Sequence, residues 1–103
     1  MIDYPYSTVA IARLHDTDTW QNIRPYALPI DALVPTQPNV SIKRLIDLLH
    51  GAAYETNDDY AHVVVHFGRF YLHDGHHRYV ISMLRNEERL SCRVVTVTGE
   101  PVF

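Results

Sequence analysis

Cysteine is nearly absent from this chain: Cys92 is the single thiol in 103 residues. One thiol excludes an internal disulfide and any multi-cysteine zinc site, and it points to a reducing compartment, with the cytoplasm as the expected location. Positive charge is also scarce. Nine Lys and Arg stand against twelve Asp and Glu, a formal net charge of -3, which excludes a basic slab that grips DNA unaided. The seven His would raise that charge only below about pH 6.5. No apolar run approaches the roughly 18 residues of a membrane span. The start, with Asp3, Tyr4 and Pro5, lacks the basic-then-apolar pattern of a secretory signal. A soluble protein without a membrane partner is expected, and the chain shows no internal repeat or low-complexity segment.

Hydrophobic residues make up 47% of the chain and charged ones 20%, the composition of a folded domain rather than a disordered segment. The length suits one domain spanning residues 1–103. Thr8 to Leu14 fits a strand by alternation or a short helix, and the strand is the reading adopted. His15 to Trp20 reads as a loop, with Trp20 at an edge of the core, and Pro25 and Pro29 break any helix. Ile30 to Val34 reads as a short strand ended by a stiff turn, Pro35-Thr36-Gln37-Pro38-Asn39. Ser41 then caps a helix whose Ile42, Leu45, Leu48 and Leu49 form one apolar stripe, expected to bury against a sheet before Gly51 ends the helix. Tyr54 to Tyr60 is an acidic loop. From Ala61 to Phe67 the chain alternates, with Val63, Val65 and Phe67 on one face and His62, Val64 and His66 on the other. Gly68-Arg69 turns a hairpin into Phe70 to Leu72.

The stretch that follows carries the chemistry. In Tyr71-Leu72-His73-Asp74-Gly75-His76-His77-Arg78-Tyr79 a strand stops at an Asp-Gly pair and a helix begins, with Asp74 as its expected N-cap. Unpaired N–H groups and the positive end of the helix dipole make such a start an anion site, to which His76, His77 and Arg78 add donors. The helix runs to about Asn86 and buries His77, Val80, Ile81 and Leu84. Arg78, Ser82, Arg85 and Arg89 fall on another face, a candidate DNA contact with Lys43 and Arg44 beside it. Glu87 and Glu88 neutralise part of that stripe. Tyr71 and Tyr79 are placed either to stack on a base or to edge the core. His62, His66, His73, Asp74, His76 and His77 are metal-capable, but their spacing matches no zinc pattern and no metal is assigned. Leu90 to Thr98 closes the sheet as a last strand, with Cys92 as a core residue rather than a nucleophile. The order predicts an α+β fold, one small mixed sheet covered by two short helices.

This order and the turn Gly75-His76-His77-Arg78 resemble the ParB/sulfiredoxin superfamily over about residues 29–97, with residues 1–28 as an N-terminal extension. The resemblance implies a site that holds the phosphates of a nucleotide (CTP, ATP or ADP with Mg2+) through Gly75, His76, His77 and Arg78, with Thr36 and Gln37 closing from the opposite loop. Sulfiredoxins carry a Cys where this chain has His76, so their thiol chemistry is not implied. A kinase branch with a similar Asp-Gly-His turn carries a general-base Glu where this chain has Gln37, and a neutral amide cannot take a proton. His73, Asp74 and His76 remain as candidate catalytic groups for phosphotransfer or hydrolysis. Three readings follow: a nucleotide-binding regulatory module with little or no turnover, a regulatory domain that binds DNA or a protein partner, and a small-molecule kinase or nuclease-like enzyme. A homodimer is compatible with each, and a bare domain of this kind suits a phage, a mobile element or a small operon.

Overall fold

The computed structural model describes residues 4–37, 40–51 and 59–103. Most of the expected acidic loop, and Asn39 of the proline turn, lie outside them. The elements in order are α1 (Thr8–Leu14), β1 (Tyr26–Pro29), β2 (Leu33–Pro35), α2 (Ile42–Leu49), β3 (Ala61–His66), β4 (Arg69–Asp74), α3 (His76–Leu84) and β5 (Arg89–Thr96). Five strands form one mixed sheet in the order β1-β5-β3-β4-β2. β1 runs antiparallel to β5 and β3 antiparallel to β4, whereas β3/β5 and β2/β4 are parallel. The α+β expectation with a small mixed sheet holds, but three α-helices flank the sheet rather than two.

The third is α1, where the sequence favoured a strand. Ser7 caps it, its side chain accepting from Ala10 N at 3.2 Å. Ala10 and Leu14, four apart, are buried while Val9 is 70% exposed. One inward stripe and a cap outweigh an alternation that would need both faces covered. A short 3-10 turn, Thr17–Thr19, follows. The strand expected at Ile30 to Val34 is shorter and later: Ile30–Ala32 forms a 3-10 turn and only Leu33–Pro35 pairs with β4. β1, read only as a helix-breaking segment, pairs along Tyr26 to Pro29 with β5. Both proline-bearing strands sit at the sheet edges, where a missing N–H leaves no ladder bond unmade.

β3 lies at the centre, and its expected alternation is realised over Ala61–His66, whereas Phe67, expected beside Val63 and Val65, falls in the turn and is 91% exposed. Val63 packs with Leu28, Leu33, Leu72, Cys92 and Val94 on one face, and Val64 with Tyr6, Leu14, Trp20 and Val95 on the other. Trp20 lies inside the second cluster, 2% exposed, rather than at an edge. The hairpin to β4 turns at Phe67 and Gly68, both with positive φ (48° and 74°), the backbone a two-residue type I′ turn requires. Cys92 is fully buried in β5 and its burial pushes the thiol up to about 12.

The two helices after β2 depart from their expected packing. α2 begins as read, Ser41 accepting from Arg44 N at 3.1 Å, but its stripe does not bury on the sheet. Among its apolar residues only Leu48 is buried, with Ile42 74%, Ile46 49% and Leu49 44% exposed. Its main neighbour is α3 rather than a strand, so the stripe has little sheet surface to bury against. α3 buries His76, Ile81 and Ser82, while Leu84 is 61% exposed in its last turn.

Gly75 is the position where side-chain freedom matters most. Its φ is 98°, and an added Cβ would meet Ala61 Cβ at 3.1 Å and its Cα at 3.2 Å, whereas at Gly51, φ 96°, the added atom meets nothing within 4 Å. Gly75→Ala should therefore cost about 2 kcal/mol or more in urea denaturation, and measurably more than Gly51→Ala, which carries the backbone strain alone.

Candidate functional site at the strand ends

β4 delivers Asp74 to the start of α3, but Asp74 is not the cap. The N-cap is Gly75, in the left-handed region and without a side-chain hydrogen bond, and Asp74 belongs to the strand. Asp74 Oδ1 instead accepts from Gly75 N at 2.8 Å. The next residue turns inward. His76 Nε2 accepts from the backbone N–H of Thr36 and of Gln37, each at 3.1 Å. Thr36 Oγ1 lies 3.3 Å from the same nitrogen and donates to Leu72 O at 2.6 Å. Two amide donors on Nε2 place the lone pair there and the ring proton on Nδ1. Burial lowers the His76 pKa, with neighbouring Asp74 opposing.

Thr36, Gln37 and His76, three of the expected phosphate ligands, are thus brought together, but bonded to one another. The other two cationic-capable residues diverge. Arg78 Nη1 donates to Asp59 O at 2.8 Å, and His77 Nε2 is buried without a hydrogen-bond partner among the described residues. The arginine stripe does not form one face. Ser82 is buried, Arg85 caps the end of α3, and Arg89 lies in β5, donating to Ala27 O at 3.1 Å. Among the described residues no group of three or more His, Cys, Asp or Glu could hold a metal ion.

On the other face of β4, His73 is the centre of a cluster that the sequence reading did not assemble. Tyr6 OH lies 2.6 Å from His73 Nδ1, and His73 Nε2 lies 3.2 Å from His15 Nδ1. A phenol donating to Nδ1 leaves the ring proton on Nε2, pointed at His15. Tyr4 stacks on His73 with centroids 4.7 Å apart and donates to its carbonyl at 3.2 Å. Trp20 stacks on His62 at 4.2 Å and 6°, its Nε1 donating to Leu14 O at 2.9 Å. Burial first, then the neighbouring His15, His62 and His76, pushes His73 down to about 4, and burial raises Tyr6 well above the usual phenol range. A cavity of about 230 Å3 opens beside the cluster, walled by Tyr4, His15, Trp20, His62, His73 and Asp74, with Gln37 at its edge. The signal for it was present: His62, His66, Tyr71 and His73 share a face by alternation, and the N-terminal segment is rich in rings.

A five-stranded mixed sheet with a Gly-led turn opening a helix at the strand ends is the ParB/sulfiredoxin architecture. Sulfiredoxin from Arabidopsis thaliana superposes with a TM-score of 0.50 at 19% identity, over 71% of this chain and 85% of that one, a likeness of fold. The chain belongs to the antitoxin VapB-like family, whose model matches residues 3–98. The resemblance to the ParB/sulfiredoxin superfamily therefore stands at the level of the fold, and the matched family is an antitoxin one. That match includes nearly all of the N-terminal segment that builds the His73 cluster. No curated protein matches the chain. Among the described residues no helix is long and apolar enough to cross a membrane.

The depressed His73 and His76 pKa values set a pH dependence. Both rings are held neutral in the folded state, so the unfolded chain binds more protons between its ordinary His pKa of 6.5 and the folded value of about 4 for His73. Stability is full above pH 6.5 and should fall as pH drops through that window, by an amount on the order of 2–3 kcal/mol for His73. Urea midpoints at pH 7.0, 5.5 and 4.5 should show this decline, and His73→Gln should flatten it without abolishing it, because His76 shifts in the same direction.

Proposed function

We propose that this chain is a regulatory module of the antitoxin type that works by holding a protein partner, with the exposed ridge of α2 and α3 as its contact surface. The carrying observation is that Ile42, Ile46 and Leu49 on α2, and Met83 and Leu84 on α3, are 74%, 49%, 44%, 43% and 61% exposed on two helices that touch each other. A cluster of large apolar side chains left open to water on adjoining helices is the usual mark of a docking surface. Membership of the antitoxin VapB-like family supports a toxin as the partner. Ile46→Asp with Leu84→Asp removes apolar contact at two exposed positions. The double variant should keep its melting temperature within about 2 °C and lose at least about tenfold in affinity for a toxin that the wild type neutralises. Thermal unfolding measures the first, titration calorimetry and growth rescue the second, and a folded variant that neutralises as well as wild type overturns this surface.

A second reading is favoured by the start of α3, where the N-cap is a glycine and no side chain caps the first turn. Its N–H groups and Arg78 would hold the phosphates of CTP, ATP or ADP with Mg2+. Two bonds weigh against it: His76 occupies the amides of Thr36 and Gln37, and Arg78 is engaged by Asp59 O. On this reading a nucleotide and magnesium panel raises the melting temperature and Arg78→Ala cancels the rise. No rise with any nucleotide removes it and leaves the partner-binding reading in place.

A further inference from the structure

We propose that the cavity beside His73 is a receptor for a guanidinium group, held between the carboxylate of Asp74 and the ring of Tyr4. Among the described residues Asp74 is the one formally charged residue in the cavity wall, which otherwise consists of rings, Leu14, Thr17 and Gln37. The sign of the site is therefore negative, opposite to that of the anion site the first turn of α3 offers. His73 does not reverse it, because it is committed at both ring nitrogens, to Tyr6 and to His15, and burial holds it neutral. A phosphate entering here would face the Asp74 carboxylate; a cation is attracted.

Shape selects among cations. Trp20 and His73 are only 2% and 4% exposed, their faces taken up by stacking on His62 and on Tyr4, so the flat π surface the cavity offers is that of the half-buried Tyr4. A planar, weakly hydrated guanidinium slides along such surfaces and forks onto a carboxylate, while an ammonium loses a tighter hydration shell and gains one contact point. Asp74 keeps acceptor capacity for this: Gly75 N takes one position on Oδ1, and a carboxylate offers about four. The space of about 230 Å3 admits the guanidinium and part of its stem. The same chemistry reaches the site as an arginine side chain of a partner protein or as a free guanidino compound.

Trp20 is the only tryptophan of the chain, so its fluorescence reports on the cavity directly. Titration of the whole protein with methylguanidinium should give a saturable change with a millimolar midpoint, with methylammonium at least about tenfold weaker and inorganic phosphate without effect. Asp74→Asn, which retains an oxygen for Gly75 N, should weaken binding at least about tenfold. Tyr4→Leu, which removes the stacking ring, should also weaken it and serves if the Asp74 variant does not fold. Tighter binding of Nα-acetyl-arginine amide than of free arginine assigns the group to a polypeptide, and the reverse assigns it to a small molecule; both outcomes uphold the site. No saturable change up to 50 mM, an equal response to methylammonium, competition by phosphate, or unchanged binding in a folded Asp74→Asn overturns it. The assay needs no toxin and touches no residue of the α2 and α3 ridge, so its failure and that of the partner-binding surface are distinguishable.

Discussion

One imidazole nitrogen joins the two halves of the sheet's functional end. His76 Nε2 takes the N–H groups of Thr36 and Gln37, and so ties the exit of β2 to the first turn of α3. The bond is possible only because α3 starts close against β3, where Gly75 sits within 3.1 Å of Ala61 as measured to an added Cβ. Without the bond the buried N–H of Thr36 would lose this acceptor, at a cost of about 1–3 kcal/mol. A cationic His76 would face both donors with a third, so the corner requires a neutral ring. The corner is closed by the protein's own atoms, and any anion there must rely on the remaining N–H groups of the first turn.

The opposite face follows a similar rule at larger scale. β4 places Tyr71 and His73, and β3 places His62, Val64 and His66, toward the N-terminal segment. These are ring side chains with polar edges, and their burial is favourable only where each edge meets a partner. Tyr4, Tyr6 and His15 supply those partners to His73 and Trp20 stacks on His62, so the segment from Tyr4 to Ile23 packs into one of the two core clusters rather than trailing from the sheet. Because burial holds His73 neutral, this face loses stability in acid, unlike the aliphatic core on the other face.

Much of the architecture was legible in the residues themselves. The alternation from Ala61, the caps and stops of α2 and the apolar run from Leu90 are local signals, and local signals settled those elements. Thr8 to Leu14 was misread because seven residues fit either period, and only the burial of Ala10 and Leu14 against Trp20 decides between them. β1 was hidden by Pro25 and Pro29, whose meaning changes once the strand is known to be an edge. The turn at Gly75 was legible as a helix start, but not the direction of its side chains. Whether His76 faces a ligand or the backbone of β2 depends on a contact forty residues away in sequence, which no spacing rule contains. The rings around His73 were individually visible and collectively missed, since the N-terminal segment was read as an extension.

The exposed stripe of α2 has the opposite status: the pattern was read correctly and its partner was not. Eight residues are too few to hold a helix in water unaided, so α2 depends on its Ser41 cap, on Leu48 and on its contact with α3. An element with so little buried area lies at the low end of local stability. Of the stripe the sequence predicts, Leu48 is buried and Leu45 half-buried, while Ile42 and Leu49 stay exposed beside Ile46. Under the proposed function a partner that covers Ile42, Ile46 and Leu49 would complete that burial and supply the stabilisation that the sheet does not. That would account for a strong sequence signal that the folded chain alone leaves partly facing water.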